Sequence, residues 1–298
     1  MLKKISIKIE PYLYMLPAII LIGVIVIYPT LSSFRYALYD WSGLGAMKFV
    51  GFDNLYKIFS GYDKQFWNSI KLTFIWVALS TVILSITSLM LAFIVEFGAR
   101  NRRFTTIART ILFMPMMMSL VAVGLLWQLI YNPILGLLNK ILSIIGLINH
   151  PLDLLGSYNF VLLVIFIPVI WYWSGFGMVI FSAALQSIPD SVKEASIIDG
   201  ANLMSQIRYI YIPLLFPKIM LVSTINLIGA FKCFDIIYVL TAGGPGNASQ
   251  VTSIYLFREA FVNNNYGYGC AISVVLFLIA AIFSIVFMWI TSRVETYY

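Results

Sequence analysis

Few side chains in this 298-residue sequence have the types and spacing that catalysis or metal binding requires. His150 is the single histidine, and the 12 aspartates and glutamates are scattered along the chain. The two cysteines, Cys233 and Cys270, fall at or inside apolar segments and lack a ligand-like spacing. A metal cluster needs grouped ligands, and nucleophilic catalysis needs a base beside the nucleophile. We therefore expect no catalytic residues, no metal site and no cofactor, and we disfavour a membrane enzyme.

Residues 186 to 217 form a segment in which the spacing of capping residues predicts a defined structure. Ser191 and Glu194 fit the S-x-x-E capping box, in which each side chain satisfies a backbone N–H at the start of a helix. Gly200 is placed to end that helix in the left-handed conformation, and a second short helix is expected from 201 to about 211. The sequence thus predicts two short helices bent at a glycine.

Small and apolar residues sit together in this segment. Ala195, Ser196 and Ala201 lie beside Ile197 and Ile198. Such a surface fits closely into a groove of another protein, and it equally suits an amphipathic helix resting on lipid headgroups. The residues alone leave both interpretations open.

Aromatic and polar residues interrupt two long apolar stretches. Tyr172 and Trp173 fall in the first of these, and Asn226 falls in the second. Aromatic faces stack on sugar rings, and an asparagine within a membrane needs a hydrogen-bonding partner. The alternatives are ordinary packing aromatics and an interhelical hydrogen bond.

Two charges, Lys232 and Asp235, stand three residues apart near the end of an apolar stretch. We interpret them as an intramembrane ion pair on one helical face, with a charged relay as the rarer alternative. A self-sufficient secondary carrier would show an internal repeat or carboxylates near the midplane, and neither is evident.

The elements that hold these residues must be membrane-spanning helices. Hydrophobic residues make up 61% of the sequence and charged residues only 10%, which is too little polar surface for a water-soluble domain. Six stretches reach the roughly 20 apolar residues that a helix needs to cross a bilayer. They are 12–31, 72–95, 111–131, 158–184, 219–238 and 271–290. We predict an all-α, polytopic membrane protein that forms a single domain over residues 1–298.

The distribution of positive charge predicts the orientation. Cations cluster before the first stretch and between the second and third, at Lys3, Lys4, Lys8, Arg100, Arg102, Arg103 and Arg109. Because cytoplasmic loops carry an excess of Lys and Arg, both termini are expected in the cytoplasm. The net charge of +7 is explained in this way, and no nucleic-acid partner is expected.

Several motifs together resemble a known family. They are Glu194-Ala195-Ser196 with Gly200, Ile212-Pro213 through Pro217, Gly51-Phe52-Asp53-Asn54, and Leu240-Thr241-Ala242-Gly243-Gly244-Pro245. The chain resembles permease subunits of binding-protein-dependent ABC importers, in the carbohydrate-uptake branch of the maltose and sn-glycerol-3-phosphate type. Serine at the third motif position and Ile212-Pro213 in place of Leu-Pro are mild departures. The resemblance covers nearly the whole chain.

The resemblance implies two sets of site residues. The segment 186–217 is similar to the EAA loop, the coupling helix that docks on a cytoplasmic ATPase, through Glu194, Ala195, Ser196, Asp199, Gly200 and Ala201. In this comparison Asp199 caps the second helix or forms a rim salt bridge. Positions similar to those that line the sugar path are Val169, Tyr172, Trp173, Asn226, Ala230 and Cys233.

The resemblance also implies the partners. These are a homologous second permease, usually a different chain, two ATP-binding subunits, an extracytoplasmic solute-binding protein and a sugar substrate, in the lipid bilayer of a bacterial or archaeal plasma (inner) membrane. The sequence has no G-x-x-x-x-G-K-[ST] motif, so ATP hydrolysis is expected in the partner subunits. An importer of sn-glycerol-3-phosphate or another small solute is the alternative.

Overall fold

A computed structural model describes residues 14–98 and 101–295, and this part of the chain is dominated by helices. In order they are α1 Tyr14–Tyr36, α2 Asp53–Phe59, α3 Lys64–Gly98, α4 Arg102–Phe113, α5 Leu120–Tyr131, α6 Leu137–Ile144, α7 Val161–Gln186, α8 Asp190–Ile198, α9 Leu203–Phe231, α10 Asp235–Thr241, α11 Thr252–Phe257 and α12 Tyr266–Glu295. One antiparallel hairpin pairs β1 Tyr39–Asp40 with β2 Lys48–Phe49. The predicted helical class is confirmed.

Within the described residues, five helices are long and apolar enough to cross a membrane, namely α1, α3, α7, α9 and α12. A sixth crossing is available if the bent pair formed by α4 and α5 counts as one span. Lys3, Lys4, Lys8 and Arg100, on which the orientation prediction depends, lie outside the described residues, as do the first two residues of the predicted span 12–31.

The predicted third span, 111–131, is not a straight helix. The chain bends by 97° between Arg103–Met117 and Leu120–Tyr131. Pro115 cannot donate a backbone hydrogen bond, Met118 is extended, and the Ser119 side chain caps α5 by accepting from the N–H of Ala122 at 3.3 Å. A mean-hydropathy window misses this break because every residue from 111 to 118 except Pro115 is still apolar.

The predicted fifth span, 219–238, differs from the structure at both ends. The helix α9 begins at Leu203, so the expected short helix from 201 to 211 is its first part, and α9 ends at Phe231. Lys232 is the C-cap, and Asp235 opens α10. Lys232 and Asp235 therefore do not share a helical face, and within the described residues neither forms a salt bridge.

The chain forms two compact units, and each is considered by itself. The first contains residues 14–66 and 256–278 of the described chain. In it, Asn54 is buried and donates from Nδ2 to the carbonyls of Ala37 at 2.9 Å and Tyr39 at 3.0 Å. The Gly51-Phe52-Asp53-Asn54 motif thus fixes the start of α2 against the chain that leaves α1.

The second unit contains residues 67–255 and 279–295 of the described chain, and its core joins α3, α7 and α9. Its buried members are Ala92, Val95, Met178, Phe181, Leu185, Ile188, Tyr211, Leu215 and Val222. Close packing depends on Gly177, where a Cβ would lie 2.5 Å from Ser88 Oγ. Small residues of this kind let helices approach closely where lipid supplies no hydrophobic drive.

Candidate functional site: a cavity and an exposed helical turn

A cavity of about 260 Å³ lies among α3, α5, α7 and α9 of the second unit. It is open to the surface, and its walls are mostly apolar. The residues that line it are Trp76, Ser80, Leu84, Leu120, Val169, Trp173, Ile225, Asn226, Gly229, Ala230, Lys232, Cys233, Phe234, Asp235 and Ile236.

Five of the six residues expected on a substrate path line this one cavity: Val169, Trp173, Asn226, Ala230 and Cys233. They come from two regions of the chain that are separated by more than 30 residues of sequence, so the fold brings them together. Their contact with a substrate stays a prediction.

Tyr172, the sixth, lies elsewhere. Its side chain is 7% exposed, and its hydroxyl donates to the carbonyl of Met118 at 3.1 Å. Met118 belongs to the break between α4 and α5, where the carbonyl lacks a helical partner. The structure thus gives Tyr172 a bracing contact at that break and places Trp173 at the cavity.

Asn226 makes the interhelical hydrogen bond that the sequence offered as the alternative to a substrate contact. It lines the cavity, and its Nδ2 donates to Ser85 Oγ on α3 at 3.2 Å. Ser85 Oγ also lies 2.9 Å from Ser223 Oγ and donates to the carbonyl of Thr81 at 2.7 Å. The amide oxygen of Asn226 takes no part in these bonds, so the side chain is oriented by a network that leaves an acceptor for a ligand.

Sequence reasoning missed three cavity residues on α3, namely Trp76, Ser80 and Leu84. Trp76 and Ser80 are 1% and 2% exposed, and they stand one helical turn apart on one face. The Ser80 hydroxyl has no hydrogen-bonding partner among the described residues. The i,i+4 spacing of an aromatic and a hydroxyl was visible in the sequence, but serines in spans are so often packing residues that the pattern alone did not distinguish them.

Lys232 and Asp235 also line the cavity, at the break between α9 and α10. Both residues are exposed. Because the break separates them, the two charges remain available to a solute or to a partner chain.

Segment 186–217 has the predicted bend at Gly200, whose φ is +77°. The N–H of Gly200 bonds to the carbonyl of Ile197 at 3.0 Å, and the N–H of Ala201 bonds to that of Ser196 at 3.0 Å. These bonds close the end of α8 in the way that a left-handed glycine allows. The predicted left-handed turn at Gly200 is confirmed.

The predicted caps of this segment are different. The helix α8 starts at Asp190 after Pro189, and no side chain caps it, so Ser191 and Glu194 do not form a capping box. Asp190 instead pairs with Lys193 at 2.8 Å, and the hydrogen bond from that ammonium lowers the pKa of the carboxyl. The second helix is capped by Asn202, whose side chain accepts from the N–H of Ser205, and not by Asp199.

The tip of the segment is exposed, and Ser196 next to it is buried. At the tip, Ile197, Ile198 and Met204 are 64%, 85% and 71% exposed, and Glu194, Ala195, Asp199 and Gly200 are exposed as well. Ser196 is buried and donates to the carbonyl of Lys193 at 2.6 Å, and Ala201 is half-buried. The segment therefore presents a small apolar surface at its tip.

No group of three or more His, Cys, Asp and Glu that could hold a metal ion occurs within residues 14–98 and 101–295. The same part of the chain has a mostly apolar cavity with several polar groups and an exposed apolar turn.

Long apolar helices around a cavity, with an exposed helical turn, are the arrangement of a multi-pass membrane protein. Residues 88–296 match the family described as "Binding-protein-dependent transport system inner membrane component", and the chain belongs to this family. It is thus the membrane-spanning permease subunit of such a transport system.

Similar proteins agree with this assignment. The probable ABC transporter permease protein YurN of Bacillus subtilis (strain 168) is 32% identical over 282 residues, which cover 94% of this chain and 95% of YurN. The trehalose/maltose transport system permease protein MalF of Thermococcus litoralis is 34% identical over 280 residues, covering 93% and 92% of the two chains. A chain of a bacterial ABC transporter that imports the acidic polysaccharide alginate has the same fold, with a TM-score of 0.85, 23% identity and 98% coverage of both chains.

Proposed function

We propose that this chain forms half of the substrate path of an ATP-driven carbohydrate importer. The observation that carries the proposal is the cavity, where the Trp173 indole, the Asn226 amide and the Ser80 hydroxyl converge. A sugar ring needs an apolar surface for its C–H face and hydrogen-bonding groups for its hydroxyls. The relative from Thermococcus litoralis, whose name specifies trehalose and maltose, supports the same substrate class.

A second candidate substrate is an anionic small solute such as sn-glycerol-3-phosphate. The observation that favours it is Lys232, an ammonium at the cavity with no salt-bridge partner among the described residues. A phosphate would pair with this group. Asp235 at the same cavity opposes an anion, so we place the neutral carbohydrate first.

We propose that ATP hydrolysis in partner subunits drives transport through segment 186–217, which we name the coupling segment. Its exposed Ile197, Ile198 and Met204 suit an apolar groove on an ATP-binding subunit, and Glu194 is placed to pair with a cation there. The bend at Gly200 keeps the backbone free of a side chain at the tip. ATP hydrolysis belongs to two such partner subunits.

The remaining partners follow from the same proposal. A second, homologous permease completes the path, and an extracytoplasmic solute-binding protein delivers the solute. The coupling segment and both termini lie on the cytoplasmic side of a bacterial or archaeal inner membrane.

Purification of the tagged chain from its native membrane in mild detergent tests the assembly. We expect mass spectrometry to find an ATP-binding protein and a second six-span protein in stoichiometric amounts. Recovery of the chain alone, or only as a homo-oligomer, would contradict the importer and favour a carrier or channel.

Uptake by the purified complex in proteoliposomes tests the substrate. Trp173→Ala should raise KM for a neutral oligosaccharide by about tenfold, because a stacked ring contributes roughly 1.4 kcal/mol. Trp171→Ala is the matched control, since Trp171 is 40% exposed and does not line the cavity. Equal effects of the two substitutions would remove the cavity from the substrate path, and saturable uptake of sn-glycerol-3-phosphate alone would select the second candidate.

A further inference from the structure

The inference concerns three polar side chains that meet near the start of the coupling segment, and it rests on the proposed function. Glu96 is in the last turn of α3, Arg109 is in α4, and Gln186 is the last residue of α7. All three belong to the second unit. Gln186 is the first residue of the coupling segment, and none of the three lines the cavity.

Arg109 and Glu96 form a salt bridge between two helices. Arg109 Nε donates to Glu96 Oε1 at 3.0 Å, and Nη2 donates to the same oxygen. The side chains are 26% and 13% exposed, so the pair is partly withdrawn from water. Removal of one member would leave a poorly solvated charge on the other, which makes this contact more consequential than a surface pair.

Gln186 joins this pair from a third helix. Its Nε2 donates to Glu96 Oε2 at 3.3 Å, and with the amide reversed its oxygen would instead accept from Arg109 Nη1 at 2.9 Å. Either orientation ties the last residue of α7 to the ion pair. Only three residues, 187 to 189, separate Gln186 from the start of α8, and Ile188 among them is buried.

The other end of the coupling segment meets the same turn of α3. The ring of Tyr211 packs on that of Phe97 with centroids 5.0 Å apart, and Tyr211 is 3% exposed. Neighbouring residues of one turn, Glu96 and Phe97, thus contact both ends of the segment. The segment cannot swing on its ends without disturbing the C-terminal turn of α3.

We propose that Glu96 and Arg109 are positioning residues that fix the base of the coupling segment, so that force applied at its tip moves α3 and α7 and thereby the cavity walls. The two residues touch neither solute nor nucleotide. With the base loosened, movement of the tip is absorbed locally, and ATP is hydrolysed with less solute moved.

The experiment measures solute transported per ATP hydrolysed by the complete complex in proteoliposomes. Glu96→Gln should leave co-purification of the ATP-binding subunit intact and lower the uptake-to-ATP ratio by about fivefold. The exchanged pair, Glu96→Arg with Arg109→Glu, should recover at least half of the lost ratio. Asp153→Asn is the control, since this exposed carboxylate bonds only to the nearby N–H of Gly156.

A purely structural role would reduce the yield or the melting temperature of the complex while the surviving complex keeps the wild-type ratio, and this result overturns the proposal. If Glu96→Gln does not assemble, Arg109→Lys decides, because it keeps the charge and loses the guanidinium fork. A ratio below half of wild type supports the proposal, and a wild-type ratio overturns it. Failure of the wild-type chain to co-purify with an ATP-binding subunit would instead refute the proposed function.

Discussion

Asn226 lines the cavity and donates from Nδ2 to Ser85 Oγ at 3.2 Å. This hydrogen bond joins α9, which carries Asn226, to α3, which carries Ser85. Ser85 in turn lies 2.9 Å from Ser223 Oγ. The bond orients the amide of Asn226 and leaves its oxygen free for a ligand. A side chain restrained in this way loses less rotamer freedom when a solute binds.

The restraint predicts a graded effect on substrate affinity. Asn226→Ala removes the proposed ligand contact and should raise KM for a neutral oligosaccharide by about tenfold. Ser85→Ala removes only the restraint and should raise KM by about threefold, with a loss of roughly 0.5 kcal/mol in stability. Proteoliposome uptake and thermal melting of the complex measure the two effects.

Ser223→Ala is the matched control for this series, because it removes a neighbouring hydroxyl and keeps the Asn226 to Ser85 bond. Its KM should equal that of wild type. If Ser223→Ala and Ser85→Ala change KM equally, general loosening of the helix pair explains the result and orientation of Asn226 does not.

Ser80 carries a second prediction. Its hydroxyl is buried at the cavity without a partner among the described residues, so a bound solute can satisfy it. Ser80→Ala should raise KM by about five- to tenfold, as expected for one hydrogen bond of roughly 1 to 1.4 kcal/mol. It should leave the melting temperature of the empty complex unchanged or slightly raised.

Ser182 offers the comparison for Ser80. It is 1% exposed and its hydroxyl also lacks a partner in the described structure, but it does not line the cavity. Ser182→Ala should therefore leave KM unaffected. Transport kinetics that are identical for the two alanine variants would argue against solute contact by Ser80.

The sequence predicted those features that depend on local chemistry. Apolar length located the spanning helices, and Gly200 indicated the left-handed turn that the structure shows at φ +77°. It also predicted a helix start within one residue of Asp190, but the capping box was wrong, because Pro189 is the N-cap and no side chain caps α8. Mean hydropathy likewise could not register the 97° bend between Met117 and Leu120, because the residues from 111 to 118 are apolar except for Pro115.

The cavity was only partly visible in the sequence for a different reason. Trp173 and Asn226 carry unusual side chains for a membrane span, and they stood out by type. Ser80 lines the cavity together with residues such as Trp173 and Asn226, which are more than 80 positions away in the chain. Tyr172 and Trp173 are adjacent, but only Trp173 lies on the helical face that meets the cavity. Helical facing within a nearly uniform apolar stretch is set by packing, which periodicity resolves poorly.

The close approach of Gly177 to Ser88 predicts that a side chain at position 177 destabilises the packing of α7 on α3. A Cβ at position 177 would lie 2.5 Å from Ser88 Oγ and 2.7 Å from Ser88 Cβ. Gly177→Ala should therefore destabilise the complex by about 1 to 3 kcal/mol through overpacking of α7 on α3. Differential scanning fluorimetry of the purified complex measures the loss.

Ser88→Gly tests whether overlap with the Ser88 side chain causes the loss of stability in Gly177→Ala. In the double variant, Gly177→Ala with Ser88→Gly, the added Cβ on α7 takes the space that the serine side chain vacates. Most of the lost stability should therefore return, and the double-mutant cycle should show a coupling of at least about 1 kcal/mol. Strictly additive losses would show that the overlap at this contact is not the cause. Gly23→Ala in α1, where a Cβ meets nothing within 4 Å, should be tolerated.

The left-handed turn at Gly200 predicts a separation of coupling from assembly. Its φ of +77° disfavours any residue with a branched Cβ, while a Cβ there would meet no atom within 4 Å, so the cost of Gly200→Val is conformational. We expect the spans to fold and the ATP-binding subunit to bind more weakly by at least about tenfold, because the exposed tip of α8 is displaced. Gly200→Asn, which tolerates this conformation, should retain most of the binding. Pull-down of the ATP-binding subunit from detergent-solubilised membranes measures both variants, and equal binding by Gly200→Val and wild type would show that the tip is not the docking surface.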